Sequence, residues 1–268
     1  MRIVRMILFG VAAVEAFFAL AFVFRWPIAE EIWPLAYTND LAFIFVGSIF
    51  AAAAASFLWC AVTMDIGALV GIGLDTLFIF TPLTVYLIQT SDADDYAIRR
   101  FALAAAFTAL VGVGIVLWSR RYPIRDTRPL PALVRWSFIV FVIALLYVGG
   151  SLVRKNLSIL PWTITQDGAV IYGWMYLGAA AYFTYTLIRP VWHNAAGQLA
   201  GFLAYDLVLI IPFLQLLPDI SDSRRLNLYI YIVVVVYSGL LASYYLFIHP
   251  NTRLIRVAQQ PALVPEAG

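Results

Sequence analysis

The sequence is poor in the residues that carry most metal and covalent chemistry. It has one cysteine, Cys60, two histidines, His193 and His249, and a single lysine, Lys155. One cysteine excludes an internal disulfide and a thiolate metal cluster, and two histidines leave little for a metal or haem site. The lysine falls in a predicted loop, which excludes a membrane-embedded Schiff base. We therefore predict no metal site and assign no cofactor.

Charge is equally scarce. Only 12% of the 268 residues are charged and 63% are hydrophobic, whereas soluble globular proteins have about 25% charged and about 45–50% apolar residues. This composition excludes a water-soluble fold and gives no indication of a nucleic-acid partner. Walker A, G-x-S-x-G, H-E-x-x-H and C-x-x-C patterns are all missing. Nucleotide hydrolysis, serine hydrolysis and zinc proteolysis therefore lack their required residues, and we predict that the protein is not an enzyme.

Long apolar runs dominate what is present. A helix needs about 20 apolar residues to cross the hydrocarbon core of a bilayer. Eight segments meet that length: 3–24, 40–63, 66–89, 100–119, 136–153, 168–189, 198–217 and 227–248. The runs are continuous, whereas barrel strands alternate with a period of two residues. The sequence thus predicts an all-α polytopic membrane protein with about eight transmembrane helices, embedded in a lipid bilayer.

Basic residues indicate the orientation. One set of loops and ends carries most of the arginines and few acids: Arg2, Arg5, Arg120, Arg121, Arg125, Arg128, Arg135, Arg189, Arg253 and Arg256. By the positive-inside rule this side is cytoplasmic, and an even number of spans puts both termini there, in the inner cell membrane. The alternative that the first segment is a cleaved signal peptide is less favoured, because Glu15 interrupts its apolar run. Residues 251–268 are predicted to form a disordered cytoplasmic tail.

The chain also contains an internal repeat. The run from Gly47 to Phe57 is similar to that from Gly173 to Phe183. Further on, the first half has Gly67, Gly71, Asp75 and Pro82 where the second has Gly197, Gly201, Asp206 and Pro212, at an offset of about 125 to 136 residues. This pattern predicts two parallel four-helix repeats, 1–128 and 129–250, related by a pseudo-twofold axis along the membrane normal. The four glycines are predicted to pack helices closely together.

Three acids fall inside predicted spans: Glu15, Asp75 and Asp206. An ionised aspartate at the centre of a membrane helix costs about 3 kcal/mol, so such residues need partners. No basic residue is predicted at comparable depth. The acids could therefore be stabilised by protonation, by a bound cation, or by hydrogen bonds to hydroxyl groups and free carbonyls.

Each aspartate is followed by a proline in the same span. Pro82 and Pro212 are expected to kink their helices and to free the carbonyls of Phe78 and Val208, one turn beyond the two aspartates. A carboxylate beside a freed carbonyl in both halves indicates a cation or proton site. The alternative is two kinked helices that only pack together.

Tyrosines form a second candidate group. Tyr172, Tyr176, Tyr182, Tyr185 and Tyr205 lie on the sixth and seventh predicted spans. They could line a site for a flat or isoprenoid ligand, or hydrogen-bond Asp206. A packed or lipid-facing aromatic surface is the alternative.

One short stretch carries a family resemblance. Leu160-Pro161-Trp162-Thr163-Ile164-Thr165, followed by Gly173-Trp174 and the small residues from Gly178 to Ala181, resembles uncharacterised multi-pass bacterial membrane proteins. In those proteins a Trp/Pro-Leu-Thr turn leads into a Gly-Trp helix. Gln166-Asp167 stands where another Pro-Leu-Thr would be expected. The resemblance implies no known activity and no site residues.

The embedded carboxylates favour one function over its alternatives. We expect transport or binding of a small solute or ion, proton-coupled in one form of the hypothesis, through Asp75, Asp206, Glu15 and Tyr205. The alternative is a non-catalytic structural or accessory subunit of a larger membrane complex, with membrane-protein partners or further copies of the chain. An enzyme acting on lipid-linked substrates is the least favoured.

Overall fold

The computed structural model describes residues 2–33, 35, 39–91 and 95–254, which are almost entirely helical. Its helices are α1 Arg2–Val23, α2 Pro27–Ile32, α3 Asp40–Thr63, α4 Leu69–Thr90, α5 Tyr96–Ser119, α6 Ala132–Val153, α7 Gln166–Ile188, α8 Trp192–Leu216 and α9 Asp222–Ser243. A 3-10 turn, Ile66–Ala68, leads into α4, and a π-helical turn, Tyr244–Ile248, extends α9. Within the described residues there is no β-strand, only an isolated bridge between Pro129 and Val191.

The predicted all-α membrane architecture is confirmed. Seven of the helices are long and apolar enough to cross a membrane: α1, α3, α4 with its 3-10 turn, α5, α6, α8, and α9 with its π turn. The eighth long helix, α7, matches the predicted segment 168–189 but is less apolar, with tyrosines, threonines and glycines along its length. About half of α7 is buried by other helices, so little of its surface has to match lipid.

The helix starts differ most from the predicted segments. Helices α5 and α6 begin four residues early, with their arginines inside the first turns. Helix α8 begins six residues early, at Trp192, and its first turns bury His193, Asn194 and Gln198. From hydropathy alone, polar residues at the start of an apolar segment are predicted to belong to a loop. The polar residues at the start of α8 are helical and surrounded by neighbouring helices, whereas the arginines at the starts of α5 and α6 are exposed.

The long helices form two rows of four. One row runs α1, α3, α8, α9 and the other runs α5, α4, α7, α6, with each helix packed most extensively on its neighbours in that order. Within each half of the chain, α3 scarcely touches α4 and α7 scarcely touches α8. The two halves are therefore interleaved through the α3–α8 and α4–α7 contacts. Exchanging the halves leaves this order unchanged, as a twofold relation would require. The tandem repeat itself stays a prediction.

Successive long helices run in opposite directions, which gives the bundle two ends. At one end Asn39 donates to the Thr163 carbonyl at 2.6 Å, joining the start of α3 to the connection between α6 and α7. The Tyr86 hydroxyl, near the end of α4, donates to Asp167 at the start of α7 at 2.6 Å. We name this the acidic end. The opposite, basic end joins the end of α3, the 120–131 connection, the start of α8 and residues 249–254.

Glycines bring neighbouring helices together at corresponding positions of the two halves. A Cβ on Gly47 would lie 2.7 Å from Val23 Cγ2 and 3.0 Å from the carbonyl oxygen of Ala19, across the α1–α3 contact. A Cβ on Gly173 would lie 2.7 Å from Val153 Cγ2 and 2.9 Å from the carbonyl oxygen of Gly149, across the α6–α7 contact. Because the obstruction includes backbone atoms, a side-chain adjustment alone cannot relieve it.

The first residues of the predicted tail, 251–254, make contacts with the bundle. The Thr252 hydroxyl donates to the carbonyl of Tyr245 at 2.7 Å, and the Leu254 amide donates to Leu246 at 2.8 Å. The carbonyl of Asn251 accepts a hydrogen bond from Arg128. These residues are therefore ordered against the bundle, because their polar groups find partners there. The rest of the predicted tail, 255–268, lies outside the described residues.

The glycine contacts generate a stability prediction. Gly173→Ala should destabilise the protein by about 1–3 kcal/mol, because its methyl group would meet the backbone of α6. Gly114→Ala, on the open face of α5 with no atom within 4 Å, should be neutral or stabilise by up to about 1 kcal/mol. Thermal unfolding in one detergent compares the two variants. Equal stabilities would contradict the close α6–α7 contact.

Candidate functional site

Asp75 lies on α4 where that helix contacts α7. A Cβ on Gly178 of α7 would fall 2.6 Å from Asp75 Oδ1 and 2.8 Å from the Asp75 carbonyl oxygen. Asp75 Oδ1 is enclosed and makes no hydrogen bond to any described residue. No arginine, lysine or histidine of the described chain is paired with it. Asp75 Oδ1 therefore has no hydrogen-bonding or ionic partner among the described residues, whereas a buried polar atom normally has one.

Asp206 occupies a different interface from Asp75. It is buried on α8 against Gly239 of α9, whose Cβ would lie 3.5 Å from Asp206 Oδ2. Asp206 Oδ2 makes no hydrogen bond to any described residue, and the Ser238 side chain of α9 is close enough to interact with the carboxyl group. The glycines and prolines of the two halves are 130 positions apart, but the aspartates are 131 apart. One residue turns a helix by about 100°, so the two carboxylates do not occupy equivalent positions.

Glu15 stands apart from both aspartates. It lies near the middle of α1, is partly exposed, and forms no hydrogen bond or ion pair with any described residue. Its neighbours Val14 and Phe17 are exposed apolar residues on the outside of the bundle. Glu15 itself is one helical turn from the buried residues Ala12 and Ala19, so it lies towards the α1–α3 contact and not in the interior that contains Asp75.

A buried acid–base pair near the basic end is a feature that sequence reasoning missed. His193, at the start of α8, is fully buried. Its Nδ1 lies 3.3 Å from Oδ1 of Asp65, in the turn between α3 and α4, without forming a well-aligned hydrogen bond. Its Nε2 would lie 2.9 Å from a Cβ on Gly67. The available signal was spacing, since His193, Gly197 and Gly201 recur every four residues along one face of α8.

Tyr182 connects this pair to Asp75. Its ring covers Gly71 of α4 so closely that a Cβ at position 71 would overlap it. Its hydroxyl faces Gly197 of α8, 3.4 Å from where a Cβ would stand, and makes no hydrogen bond to a described residue. Tyr182 is also close enough to Asp75 to interact with it electrostatically.

These residues form a line along α4. Their contact positions Gly67, Gly71 and Asp75 are each four residues apart, about 6 Å at the α-helical rise. We define Asp65, His193, Tyr182 and Asp75 as the polar row. The row extends from Asp65, in the turn before α4, to Asp75 in the second turn of α4, and so runs from the basic end into the bundle.

Tyr205 belongs to a separate cluster nearer the acidic end. The hydroxyls of Tyr176 and Tyr231 are 3.0 Å apart, and Tyr205 lies against Tyr176. Phe45 of α3 packs against both Tyr176 and Tyr205, with ring centroids 5.5 and 6.2 Å away. Of the other predicted tyrosines, Tyr172 joins this aromatic core and its hydroxyl donates to the Ala42 carbonyl at 3.1 Å, while Tyr185 does not. Tyr231 of α9 was not predicted, because it lies outside the spans that carried the tyrosine pattern.

The predicted kink and packing residues lie within the expected elements. Pro82 is inside α4 and Pro212 inside α8. Gly201 packs on α3, with a Cβ position 2.6 Å from Ser56 Oγ and 3.0 Å from the Ala52 carbonyl oxygen. Gly197 accepts a hydrogen bond at its carbonyl from Ser56 at 3.0 Å. Phe78, whose carbonyl Pro82 is expected to free, is an exposed residue of α4.

The polar row has the chemistry of a proton or small-cation site. It combines two carboxyl groups, an imidazole and a phenol, and each carries a buried polar atom without a hydrogen-bonding protein partner, apart from Asp65. Such groups exchange protons with one another or with a bridging water. Among the described residues, no group of three or more histidine, cysteine or acidic side chains is placed to hold a metal ion.

Comparisons with known proteins do not indicate a function for this chain. No protein-family model, no curated protein and no solved structure matches this chain.

Proposed function

We propose that the protein binds a small solute or ion and moves it across the membrane in a proton-dependent manner. Asp75 is the proton- or cation-binding group, and Asp65 with His193 forms the entrance to it from the basic end. The observation that carries the proposal is the polar row, in which buried polar atoms lie one helical turn apart without hydrogen-bonding partners in the protein. The proposal places the basic end on the cytoplasmic side of the inner membrane.

The position of the row supports this function. It runs along the α4–α7 contact, where the two halves of the chain meet. Transport proteins built from related halves place their substrate and ion sites at such an interface near the bilayer midplane. Burial of a carboxyl group without a partner weakens a packed interface, so a purely structural role does not account for Asp75.

Asp75→Asn should abolish proton movement. Vesicles containing the protein and a trapped pH-sensitive dye, energised by a potassium diffusion potential, should acidify faster than empty vesicles. Vesicles that contain the variant should behave like empty vesicles, because the side-chain amide of asparagine does not take up and release protons near neutral pH.

Asp206→Asn is the matched control, since it makes the same chemical change at a carboxyl group outside the polar row. It should retain most of the proton movement. Loss of activity in Asp206→Asn together with retention in Asp75→Asn would contradict the assignment of Asp75.

Asp65 and His193 should be energetically coupled. The variants Asp65→Asn and His193→Gln, alone and together, form a double-mutant cycle. Their effects on the free energy of unfolding should differ from additivity by about 0.5–3 kcal/mol, the range for residues in direct contact. The free energy of unfolding of the four proteins is measured by detergent-induced unfolding.

A second cycle supplies the control. His249 contacts Thr252 and Tyr245 instead of Asp65, so Asp65→Asn and His249→Gln should be additive within about 0.5 kcal/mol. Additivity in the first cycle as well would show that the Asp65–His193 approach has no energetic consequence.

Glu15 favours a second candidate function, that of an accessory subunit in a larger membrane complex. Glu15 is partly exposed at the edge of the α1–α3 contact. The exposed part of its carboxyl group meets lipid unless another helix covers it, and lipid exposure of a carboxylate is costly. Extraction in lipid-bilayer discs followed by intact-complex mass spectrometry tests this function. A partner in fixed stoichiometry that is lost in Glu15→Leu would support it, and a stable free monomer would count against it.

A further inference from the structure

A cavity of about 330 Å³ opens at the basic end. Four separate parts of the chain line it: the end of α3, the connection between α5 and α6, the start of α8 and the segment after α9. Arg125, Arg128 and Arg253 contribute guanidinium groups, and Trp59 and Trp192 contribute indole rings. Its size is at the lower end of the range for small-molecule sites, about 300–1,000 Å³.

The cavity has more hydrogen-bond donors than acceptors. Arg128 is engaged by Asp126, with Nε 2.7 and 3.0 Å from the two carboxylate oxygens, and it also donates to the carbonyl of Asn251. The side chains of Arg125 and Arg253 form no hydrogen bond or ion pair with any residue that the structure describes, and Arg253 Nε is enclosed. The second acid of the lining, Asp65, is turned to His193 at 3.3 Å. Two guanidinium groups are thus left without an anionic partner among the described residues.

The walls of the cavity are held in place by the backbone. The Trp192 amide donates to the carbonyl of Arg128 at 2.8 Å, and the Leu130 amide donates to Pro190 at 3.0 Å. These bonds fix the arginine-bearing connection to the start of α8. The Thr252 hydroxyl fixes the segment of Arg253 to the π-helical turn at 2.7 Å. Arginines on restrained segments bind an anion with less loss of conformational freedom than arginines on free loops.

We propose that this cavity binds a phosphate group. Guanidinium groups recognise phosphate and carboxylate through paired N–H donors, but one guanidinium fork is sufficient for a carboxylate. A tetrahedral phosphate accepts hydrogen bonds from several directions, which suits arginines that reach the cavity from two different segments. The phosphate is carried either by a soluble molecule or by an anionic lipid headgroup, since the cavity lies at the end of the bundle near the expected membrane surface. This inference concerns binding alone and does not depend on the proposed transport.

Calorimetric titration tests the proposal on the full-length protein in phosphatidylcholine discs. Inorganic phosphate and glycerol phosphate are the soluble probes. For the lipid arm, phosphatidylglycerol is added to the discs and retained lipid is detected by mass spectrometry of the released protein. We expect at least one arm to show binding, and Arg253→Gln and Arg125→Gln to weaken it about tenfold each, equivalent to about 1.4 kcal/mol.

Arg121→Gln is the charge-matched control, because Arg121 is an exposed residue of the same connection that does not line the cavity. It should bind like the wild type, and all three variants should unfold at the same temperature. Binding in the soluble arm identifies a free phosphate compound, and binding only in the lipid arm identifies a headgroup. No binding in either arm, or equal loss in Arg121→Gln and Arg253→Gln, would overturn the proposal.

The result of the phosphate-binding test can be distinguished from the result of the proton-movement test of the proposed function. Asp75→Asn should bind the phosphate probe as the wild type does, because Asp75 does not line the cavity and lies two turns beyond Gly67 on the path into the bundle. Phosphate binding without proton movement would therefore contradict transport while supporting this site, and the reverse result would contradict only this site.

Discussion

The contact between α4 and α7 is the constraint on which the rest of this molecule depends. Gly71 and Gly178 let the two helices approach until the ring of Tyr182 covers one glycine and the carboxyl group of Asp75 meets the other. The equivalent contact between α3 and α8 is made by Gly201 against Ala52 and Ser56. Together these contacts interleave the halves of the chain. They also force polar side chains into an interior that a looser packing would leave to lipid or water.

The bilayer explains why the fold was predictable from the sequence. Span length, apolar composition and arginine bias are set by the membrane itself, and they gave the correct class and nearly the correct ends for α3 and α4. The glycines at 67, 71, 197 and 201 were also recognisable, because close packing in membranes requires small residues.

The site was less predictable, since side-chain direction depends on single-residue register. An offset of 131 positions in place of 130 puts Tyr205, not Asp206, at the position that corresponds to Asp75. The one-residue difference can be read from the sequence, but the helix that each carboxyl group then faces cannot. His193 was overlooked for a related reason, because a polar residue at the edge of an apolar run indicates a loop unless its burial by other helices is known.

Asp65 links the two sites that we propose. It lines the cavity at the basic end and approaches His193, the first buried member of the polar row. A high-resolution electron-microscopy map of the protein in a lipid disc tests the account most directly. The account predicts ordered water or ion density that bridges His193, Tyr182 and Asp75 along α4. The account would be contradicted by a map that shows no water or ion density between these three side chains and places each of them in a separate packed contact.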